Sequence, residues 1–287
     1  MKLYAISDLH LEHEITRTAL TRLPEFKEDW LILAGDICNG TKYLRYAFEV
    51  LSAKFQKLIW VPGNHELWVE TKEGRELKGE EKYFCLIDLC REYGVLNPED
   101  PYVTWQGEGL PCTLAPLFLL YDYSFRPPEI SRNQAVDWAA ETKVVCTDEY
   151  YLSPIPYESR DAWCEARLKL TEPRLAEVSP EHPLVIINHF PLREELVRLR
   201  RIPRFSLWCG TKATEDWHLR FPTYVAVSGH LHIRATDYRN GVRFEEVSLG
   251  YPQHWDVNQP LESYLREILP GPLERLEHGG PFWRNYH

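Results

Sequence analysis

Short apolar runs alternate with a helix-like segment over the first sixty residues of the chain. The runs Lys2–Ser7, Trp30–Ala34 and Lys57–Val61 are each short enough to be buried strands. Between the last two, Lys42–Lys54 carries apolar residues at helical spacing, which predicts a helix. Strands that alternate with helices predict an α/β architecture with a partly parallel sheet.

The remainder of the chain alternates less regularly. Helical spacing predicts helices over Tyr83–Tyr93 and Ser159–Val178, and we expect Pro173 to bend or end the second. The dipeptide Asn240-Gly241 predicts a tight hairpin between two late strands. Apolar runs predict further strands over Tyr102–Gln106, Pro111–Leu120, Leu184–Asn188, Tyr224–Ser228, Ile233–Tyr238 and Arg243–Ser248.

The amino-acid composition narrows the kind of protein and the partners that we expect. The chain has 287 residues, of which 44% are hydrophobic, enough for a sizeable core. We expect one domain over residues 1–260, with residues 70–183 as a cap-like insertion and 261–287 as a C-terminal tail. A net charge of −10 disfavours nucleic acid and anionic lipid as partners. Seven cysteines without a CxxC pair are typical of reduced thiols, so we expect a cytoplasmic protein without signal peptide or membrane span.

Five polar clusters each follow an apolar strand. They are Asp8-Leu9-His10, Gly35-Asp36, Gly63-Asn64-His65-Glu66, Asn188-His189 and Gly229-His230-Leu231-His232. Ligands of open α/β sheets bind beyond the carboxyl ends of the strands, where loops can point side chains into one space. In an extended segment, the polar residues of Asp8-Leu9-His10 face the same side. Five such loops indicate a shared site and are not typical of core packing.

Each cluster alone has an ordinary explanation, such as a turn at Gly35-Asp36 or a chance triplet at Asp8-Leu9-His10. Taken together, they offer nitrogen and oxygen donors without sulfur, a set that suits manganese, iron or zinc. Asp36 could bridge two ions, because a carboxylate has two oxygens. A pair of ions ~3.5–4 Å apart can hold both the attacking and the leaving oxygen of a displacement.

The other histidines have no polar cluster around them, and we interpret them as structural: His13, His182, His218, His254, His278 and His287. Of these, His13 is near enough in sequence to Asp8-Leu9-His10 to support a ligand from outside the metal shell. Glu66 is interpreted as support for its turn or for His65, and not as a ligand.

In this order, the five clusters resemble the calcineurin-like metallophosphoesterase superfamily, with its pattern D-x-H, G-D, G-N-H-[DE], a lone H and G-H-x-H. The resemblance implies a four-layer sandwich, with two central mixed β-sheets flanked by helices. It implies that Asp8, His10, Asp36 and His232 surround one metal. It implies that Asp36, Asn64, His189 and His230 surround the other.

The same resemblance implies that Asp36, Asn64 and His65 take part in catalysis, with His65 as general acid or charge stabiliser. One departure is visible: many members carry an acid or asparagine two residues after G-D, whereas Ile37-Cys38-Asn39 follows here. We do not interpret this departure as the loss of a ligand.

Segments outside the five clusters are similar to the actinobacterial phosphopantetheinyl hydrolases of the mycobacterial type. The segments are Trp60–Trp68, Phe118–Phe125, Thr147–Pro154, Arg160–Cys164, Asn188–Leu192, Phe205–Thr211 and Gly241–Pro252. This resemblance implies acyl carrier protein as substrate, with 4′-phosphopantetheine removed by direct attack of a metal-bridging hydroxide and manganese or iron as the metals. The alternatives are another substrate (a phosphoprotein, a nucleotide or a small phosphodiester) or a scaffold without activity.

Two groups of residues are candidates for substrate contact. Aromatic residues of a cap could hold the pantetheine arm, although core packing is the favoured explanation of such residues: Trp68, Tyr121, Tyr123 and Trp208. Arg201 belongs to a basic segment, Arg198–Arg204, that could steer an acidic carrier protein; the alternative is a solvated helix face. The sequence does not determine the oligomeric state.

Overall fold

A computed structural model describes residues 1–72 and 74–284. The strands are β1 (Leu3–Ile6), β2 (Phe26–Leu33), β3 (Phe55–Trp60), β4 (Glu70–Lys72), β5 (Arg75–Leu77), β6 (Val103–Thr104), β7 (Thr113–Pro116), β8 (Leu184–Ile187), β9 (Thr223–Ser228), β10 (Ala235–Arg239), β11 (Val242–Glu246), β12 (Arg266–Leu269) and β13 (His278–Trp283). The helices are α1 (Glu14–Arg22), α2 (Thr41–Ser52), α3 (Gly79–Glu92), α4 (Ala135–Ala140), α5 (Asp148–Tyr151), α6 (Arg160–Ala176) and α7 (Trp217–Arg220).

Two mixed sheets form the centre of the molecule. One has the strand order β12-β1-β2-β3, and the other has the order β13-β10-β11-β9-β8-β7-β6. In the first sheet β1, β2 and β3 are mutually parallel. In the second, β7, β8, β9 and β11 form a parallel row, because each neighbouring pair among them is parallel. A small antiparallel ribbon, β4-β5, lies apart from both sheets.

Neighbouring residues of a strand belong to different apolar clusters, so the core consists of layers. In β2, Ile32 belongs to the apolar cluster shared by the two sheets, whereas Leu31 belongs to the cluster that contains α2 and α3 residues. In β8, Val185 faces the shared cluster and Ile186 faces a third cluster with residues of α6 and α7. Because alternate residues of a strand face opposite sides of its sheet, one side of each sheet packs on the other sheet and the other side packs on helices. The predicted α/β sandwich of two mixed sheets flanked by helices is confirmed.

Most predicted elements are present, with shifted ends. The hairpin at Asn240-Gly241 joins β10 to β11, and both turn residues have positive φ, 56° and 75°. The helix over Ser159–Val178 runs from Arg160 to Ala176 with Pro173 inside it, so the proline does not end it. α1 was not predicted, because only Thr16 and Leu20 of its nine residues are buried and the apolar periodicity is weak.

The structure differs from the expected outer segments. Residues 261–287 were expected as a tail, yet β12 pairs with β1 and β13 pairs with β10, so each sheet gains an edge strand from this segment. Ile268 and Leu269 are fully buried, which is the physical reason that β12 joins the sheet. Residues 285–287, and with them His287, lie outside the described residues.

The expected insertion over residues 70–183 is not continuous. Two of its strands, β6 and β7, belong to the seven-stranded sheet, with β7 paired to β8. The rest of this region packs around the site, as described below. Among the described residues, no helix combines the length and the apolar character that a membrane span requires.

Candidate metal centre

The polar clusters meet where the two sheets come together. Asp8, Asp36 and Asn64 follow the carboxyl ends of the parallel strands β1, β2 and β3. His189 and His230 follow β8 and β9 of the other sheet. A bridge between Ser7 and Ser248 joins the two edges: Ser7 N donates to Val247 O at 3.1 Å, and Leu249 N donates to Ser7 O at 2.9 Å. Residues far apart in sequence therefore line one space.

One group of ligand-type atoms consists of Asp8, His10 and His232, and all its donor atoms lie within 4.8 Å of one another. His232 Nε2 lies 3.0 Å from Asp8 Oδ1 and 3.3 Å from His10 Nε2. The other carboxylate oxygen of Asp8 accepts hydrogen bonds from Ser7 Oγ (2.5 Å), Ser248 Oγ (2.8 Å) and His230 N (3.0 Å). Oδ2 is thus engaged in three hydrogen bonds within the protein, and Oδ1 is the oxygen that lies near His232.

A second group consists of Asp36, His189 and His230, again within 4.8 Å. Three buried atoms of this group and its neighbour Asn64 have no hydrogen-bond partner: Asn64 Oδ1, His189 Nε2 and His230 Nε2. An unsatisfied buried acceptor costs about 1–3 kcal/mol. A cation would satisfy all three atoms at once, so these residues fit a metal ion.

Close packing explains the glycines of the pattern. A Cβ on Gly63 would collide with Asp36 Oδ1, and a Cβ on Gly229 would collide with Ser7 Oγ and lie 2.5 Å from Asp8 Oδ2. Five ligand-type residues also have positive φ, between 45° and 72°: Asp8, His10, Asp36, His230 and His232. Such a backbone is strained for residues other than glycine, and strain of this kind concentrates at functional sites.

Of the three histidines His10, His189 and His230, two are neutral at pH 7, the form that binds a cation. Burial and the neighbouring His65 lower the pKa of His10 to about 3, and burial with His189 lowers the pKa of His230 to about 3, so both rings are neutral at pH 7. Burial alone would lower the pKa of His189, but the Asp36 carboxylate outweighs it and raises the pKa to about 10. A cation arriving at neutral pH would displace that proton.

Glu66 fastens two ligand loops to each other. Its carboxylate accepts hydrogen bonds from Asp36 N (2.9 Å), Ile37 N (2.6 Å) and Gly63 N (2.8 Å). The side chain is fully buried and holds the backbone of both loops rather than facing a metal. This agrees with its interpretation as support for the turn.

His65 lies at the edge of the second group. Its Nε2 is 3.8 Å from Asp36 Oδ2, and its backbone N donates to Asp36 Oδ1 at 2.9 Å. Its Nδ1 donates to Asn39 Oδ1 at 2.7 Å, since an amide oxygen can only accept. The ring stacks on Trp68, with centroids 3.9 Å apart. Nδ1 is therefore engaged, and Nε2 is the ring nitrogen that lies beside Asp36. Asn39, noted only as part of a departure from the family pattern, fixes the ring.

Asp148 organises the adjoining wall, and sequence reasoning missed it. The fully buried carboxylate accepts hydrogen bonds from Asn64 Nδ2 (2.9 Å), Trp68 Nε1 (2.6 Å) and Tyr121 OH (3.0 Å). Because Asp148 takes the amide nitrogen of Asn64, the buried amide oxygen is left without a hydrogen-bond partner. Burial raises the pKa of Asp148, and the three donors oppose that rise.

A cavity of about 340 Å³ opens over both groups. It is lined by Asp36, Asn64, His65, Trp68, Val145, Cys146, Thr147, Asp148, Leu199, Ile202, Phe205, His230, Leu231, His232, Tyr251 and His254. His254, interpreted from sequence as structural, lies here with its Nδ1 3.1 Å from His232 Nδ1. His13 contacts the Tyr251 ring, which in turn stacks on His10.

Three of the four aromatic candidates for substrate contact do not line the cavity, which corrects that prediction. Tyr121, Tyr123 and Trp208 are at most 1% exposed. Their polar atoms are bound to acids within the protein: Tyr121 OH to Asp148, and both Tyr123 OH (2.8 Å) and Trp208 Nε1 (2.7 Å) to Glu149. Trp68 does line the cavity.

The basic segment Arg198–Arg204 is a turn followed by a short 3-10 helix, so the alternative of a solvated helix face is wrong. Arg198 pairs with Asp237, and Arg204 pairs with Glu141. Arg201 is exposed and does not line the cavity, but Leu199 and Ile202 on either side of it do.

Comparison with known proteins places this geometry in context. A family model described as calcineurin-like phosphoesterase matches residues 1–234. The chain is 46% identical over 272 residues to the acyl-carrier-protein phosphodiesterase PptH of Mycobacterium tuberculosis, spanning 94% of this chain and 84% of that protein. A crystal structure of phosphopantetheinyl hydrolase from Mycobacterium tuberculosis matches with a TM-score of 0.90 and 45% identity, covering 96% of this chain and 98% of that one. A shorter match, 34% identical over 97 residues, relates 31% of the chain to 34% of the uncharacterized protein L509 of Acanthamoeba polyphaga mimivirus.

Proposed function

The chain belongs to the calcineurin-like phosphoesterase family, whose members use a binuclear metal centre to hydrolyse phosphoric esters, and we propose that its substrate is holo acyl carrier protein. The bond broken is the phosphodiester between 4′-phosphopantetheine and the carrier serine. One observation carries the proposal: the match to PptH extends over 94% of the chain. It therefore includes residues 145–148, which line the cavity but lie outside the shared metal-site clusters.

We assign the metal ligands as two sets that share Asp36. Asp8, His10, Asp36 and His232 would hold one ion, and Asp36, Asn64, His189 and His230 would hold the other. A bound pair of cations would polarise the phosphoryl oxygens and lower the pKa of a water held between them. The partnerless atoms Asn64 Oδ1, His189 Nε2 and His230 Nε2 support the second set. The donor set favours manganese or iron, and zinc is compatible with it.

His65 supplies the proton for the leaving group in this proposal. With Asn39 accepting from Nδ1, a protonated ring presents Nε2–H to the carrier serine oxygen as it departs. Contact with Trp68 and the bond to Asn39 restrict the ring to one orientation. No serine or cysteine is needed as a nucleophile, and the seven cysteines are all free thiols, in keeping with a reducing, cytoplasmic location.

Incubation of purified enzyme and Mn²⁺ with holo acyl carrier protein is expected to release 4′-phosphopantetheine and leave the apo protein. Intact-protein mass spectrometry detects the loss of the prosthetic group directly. A matched reaction with chelator in place of Mn²⁺ is the control and should leave the carrier unchanged. Retention of the prosthetic group, by an enzyme that still cleaves a small aryl phosphodiester, would favour the alternative of another substrate.

Replacing Asp148 with alanine is expected to weaken metal binding at the second set about 10–100-fold, the usual effect of losing a partner of a metal ligand. Alanine has no oxygen to accept from Asn64 Nδ2, so the Asn64 amide loses the hydrogen bond that orients it. Isothermal titration of the metal-free protein with Mn²⁺ measures the affinity. Trp68→Phe is the control, because it removes another donor to Asp148 and leaves the bond to Asn64; equal weakening in both variants would contradict this role.

A further inference from the structure

The cavity has two unlike walls. One carries the metal-type ligands, among them Asp36 and His230. Another part of the lining is apolar and includes Val145, Leu199, Ile202 and Phe205, which we call the apolar wall. Val145 is 63% exposed and Ile202 is 43% exposed, although both are large apolar residues. Each therefore has apolar surface that a ligand in the cavity can remove from water.

The charged residues of the cavity lining are few. Among the described residues that line the cavity there is no lysine or arginine. Beyond the metal ligands, the lining carboxylate is Asp148, which is fully buried and already accepts three hydrogen bonds. A nucleotide polyphosphate would bring anionic groups that this lining cannot pair, whereas an uncharged chain would lose nothing by entering. The cavity thus favours a phosphodiester whose substituent is neutral.

The position of the phosphorus determines where the substituent must lie. A phosphodiester held by the two ligand groups has its phosphorus on the floor of the cavity, and both ester arms must leave through the space above. One arm leads to the carrier serine, and so to a folded protein that is too large to enter about 340 Å³. The other arm is pantetheine, which is slender and uncharged and carries two methyl groups close to the phosphate.

We propose that the apolar wall binds the pantetheine arm, methyl groups first, and so selects the substrate; this inference rests on the proposed function. Burying apolar surface is favourable by roughly 25 cal/mol per Å². The carrier protein then sits at the mouth, beside the loop between Leu199 and Ile202. That loop exposes Arg200 and Arg201, for which no ion pair is found within the described part of the chain, and an acidic carrier would meet positive charge there.

The test is the double variant Val145→Ser, Ile202→Ser, compared with wild type on two substrates: holo acyl carrier protein and bis(p-nitrophenyl) phosphate. The ratio of the two kcat/KM values, carrier over aryl ester, is expected to fall about tenfold or more, mainly through KM for the carrier. Val257→Ser is the matched control, since Val257 is 40% exposed and lies outside the cavity lining, and should leave the ratio at the wild-type value.

A second measurement probes binding alone. Free pantetheine, which has no phosphate, should inhibit hydrolysis of the aryl ester competitively, and its inhibition constant should rise about tenfold in the double variant. Metal content and the thermal midpoint report whether that variant is folded. An unchanged substrate ratio and inhibition constant in the double variant would overturn the role of the apolar wall. A wild-type enzyme that cleaves the aryl ester but not holo carrier protein would instead reject the proposed function, and this inference with it.

Discussion

Replacement of Asp36 by asparagine is expected to lower kcat/KM about a thousandfold and to remove at least one of the two metals. Asp36 belongs to the second ligand group, with its Oδ2 3.4 Å from His189 Nε2 and 3.8 Å from His65 Nε2, and the proposed assignment makes it a ligand of both ions. Asparagine keeps the size but replaces one oxygen by a donor and removes the charge. Removing one partner of a buried charged pair typically costs 3–5 kcal/mol, which corresponds to about two to four powers of ten.

Elemental analysis of the purified Asp36→Asn protein, alongside kcat/KM for an aryl phosphodiester, tests this expectation. The variant should remain folded, because its amide oxygen can still accept from His65 N, as Asp36 Oδ1 does at 2.9 Å. Asp161→Asn is a matched control: it removes a carboxylate paired with Arg132, away from the cavity lining. Two metals per chain in Asp36→Asn would contradict a bridging role.

Replacement of His65 by asparagine is expected to preserve both metals. It should lower the rate of hydrolysis most for the substrates that have the poorest leaving groups. Loss of a general acid typically costs 10²–10⁴-fold. We expect about that loss for a carrier serine or alkyl ester, and about tenfold or less for an activated aryl ester, which departs without a proton. His65 is suited to this role because its Nδ1 is bound to Asn39, while its Nε2 remains for the substrate.

The test is to measure hydrolysis rates for a series of phosphodiesters that differ in the pKa of the leaving group. The rate should depend more steeply on this pKa in His65→Asn than in wild type. His278→Asn provides the control, since His278 lies in the edge strand β13 and should leave both slope and rate unaltered. Equal losses across the series would argue that His65 only stabilises charge. Loss of a metal in His65→Asn would make it a ligand, contrary to the proposed assignment.

The metal-ligand residues were predictable because strand ends can be read from local patterns. An apolar run followed by Asp8 or by Asp36 needs only a few neighbouring residues to be recognised, and parallel strands then bring such ends to one edge. The structure brings six of the eight predicted residues into the two groups described, and the other two, Asn64 and His65, line the cavity. Their roles as ligands and as acid stay predictions until metals are measured.

What the sequence did not reveal are contacts between distant residues. Asp148 is 84 positions from Asn64, and its segment, Thr147–Pro154, was noted only for its similarity to the phosphopantetheinyl hydrolases. The aromatic candidates failed for a related reason. Tyr121 and Tyr123 have the composition of a binding surface, yet both are buried with hydroxyls bound to acids, and composition cannot separate a cavity lining from a core.

The structure of the segment expected as a tail also depends on contacts between residues that are distant in sequence. Residues 266–269 form a strand of only four residues, and their pairing with β1 depends on an edge that lies more than 250 positions earlier in the chain. Local propensity over four residues carries little information about such a partner. The boundaries of the domain and of the region over residues 70–183 therefore remain predictions.

The position of β12 beside β1 has a consequence for synthesis. β1 precedes Asp8 and is flanked by β2 on one side and by β12 on the other. During translation, β12 leaves the ribosome more than 250 residues after β1, so until then β1 exposes an unpaired edge of the kind that recruits other chains. Completion of this sheet, and with it a fully supported Asp8, must wait until residues 266–269 have been synthesised.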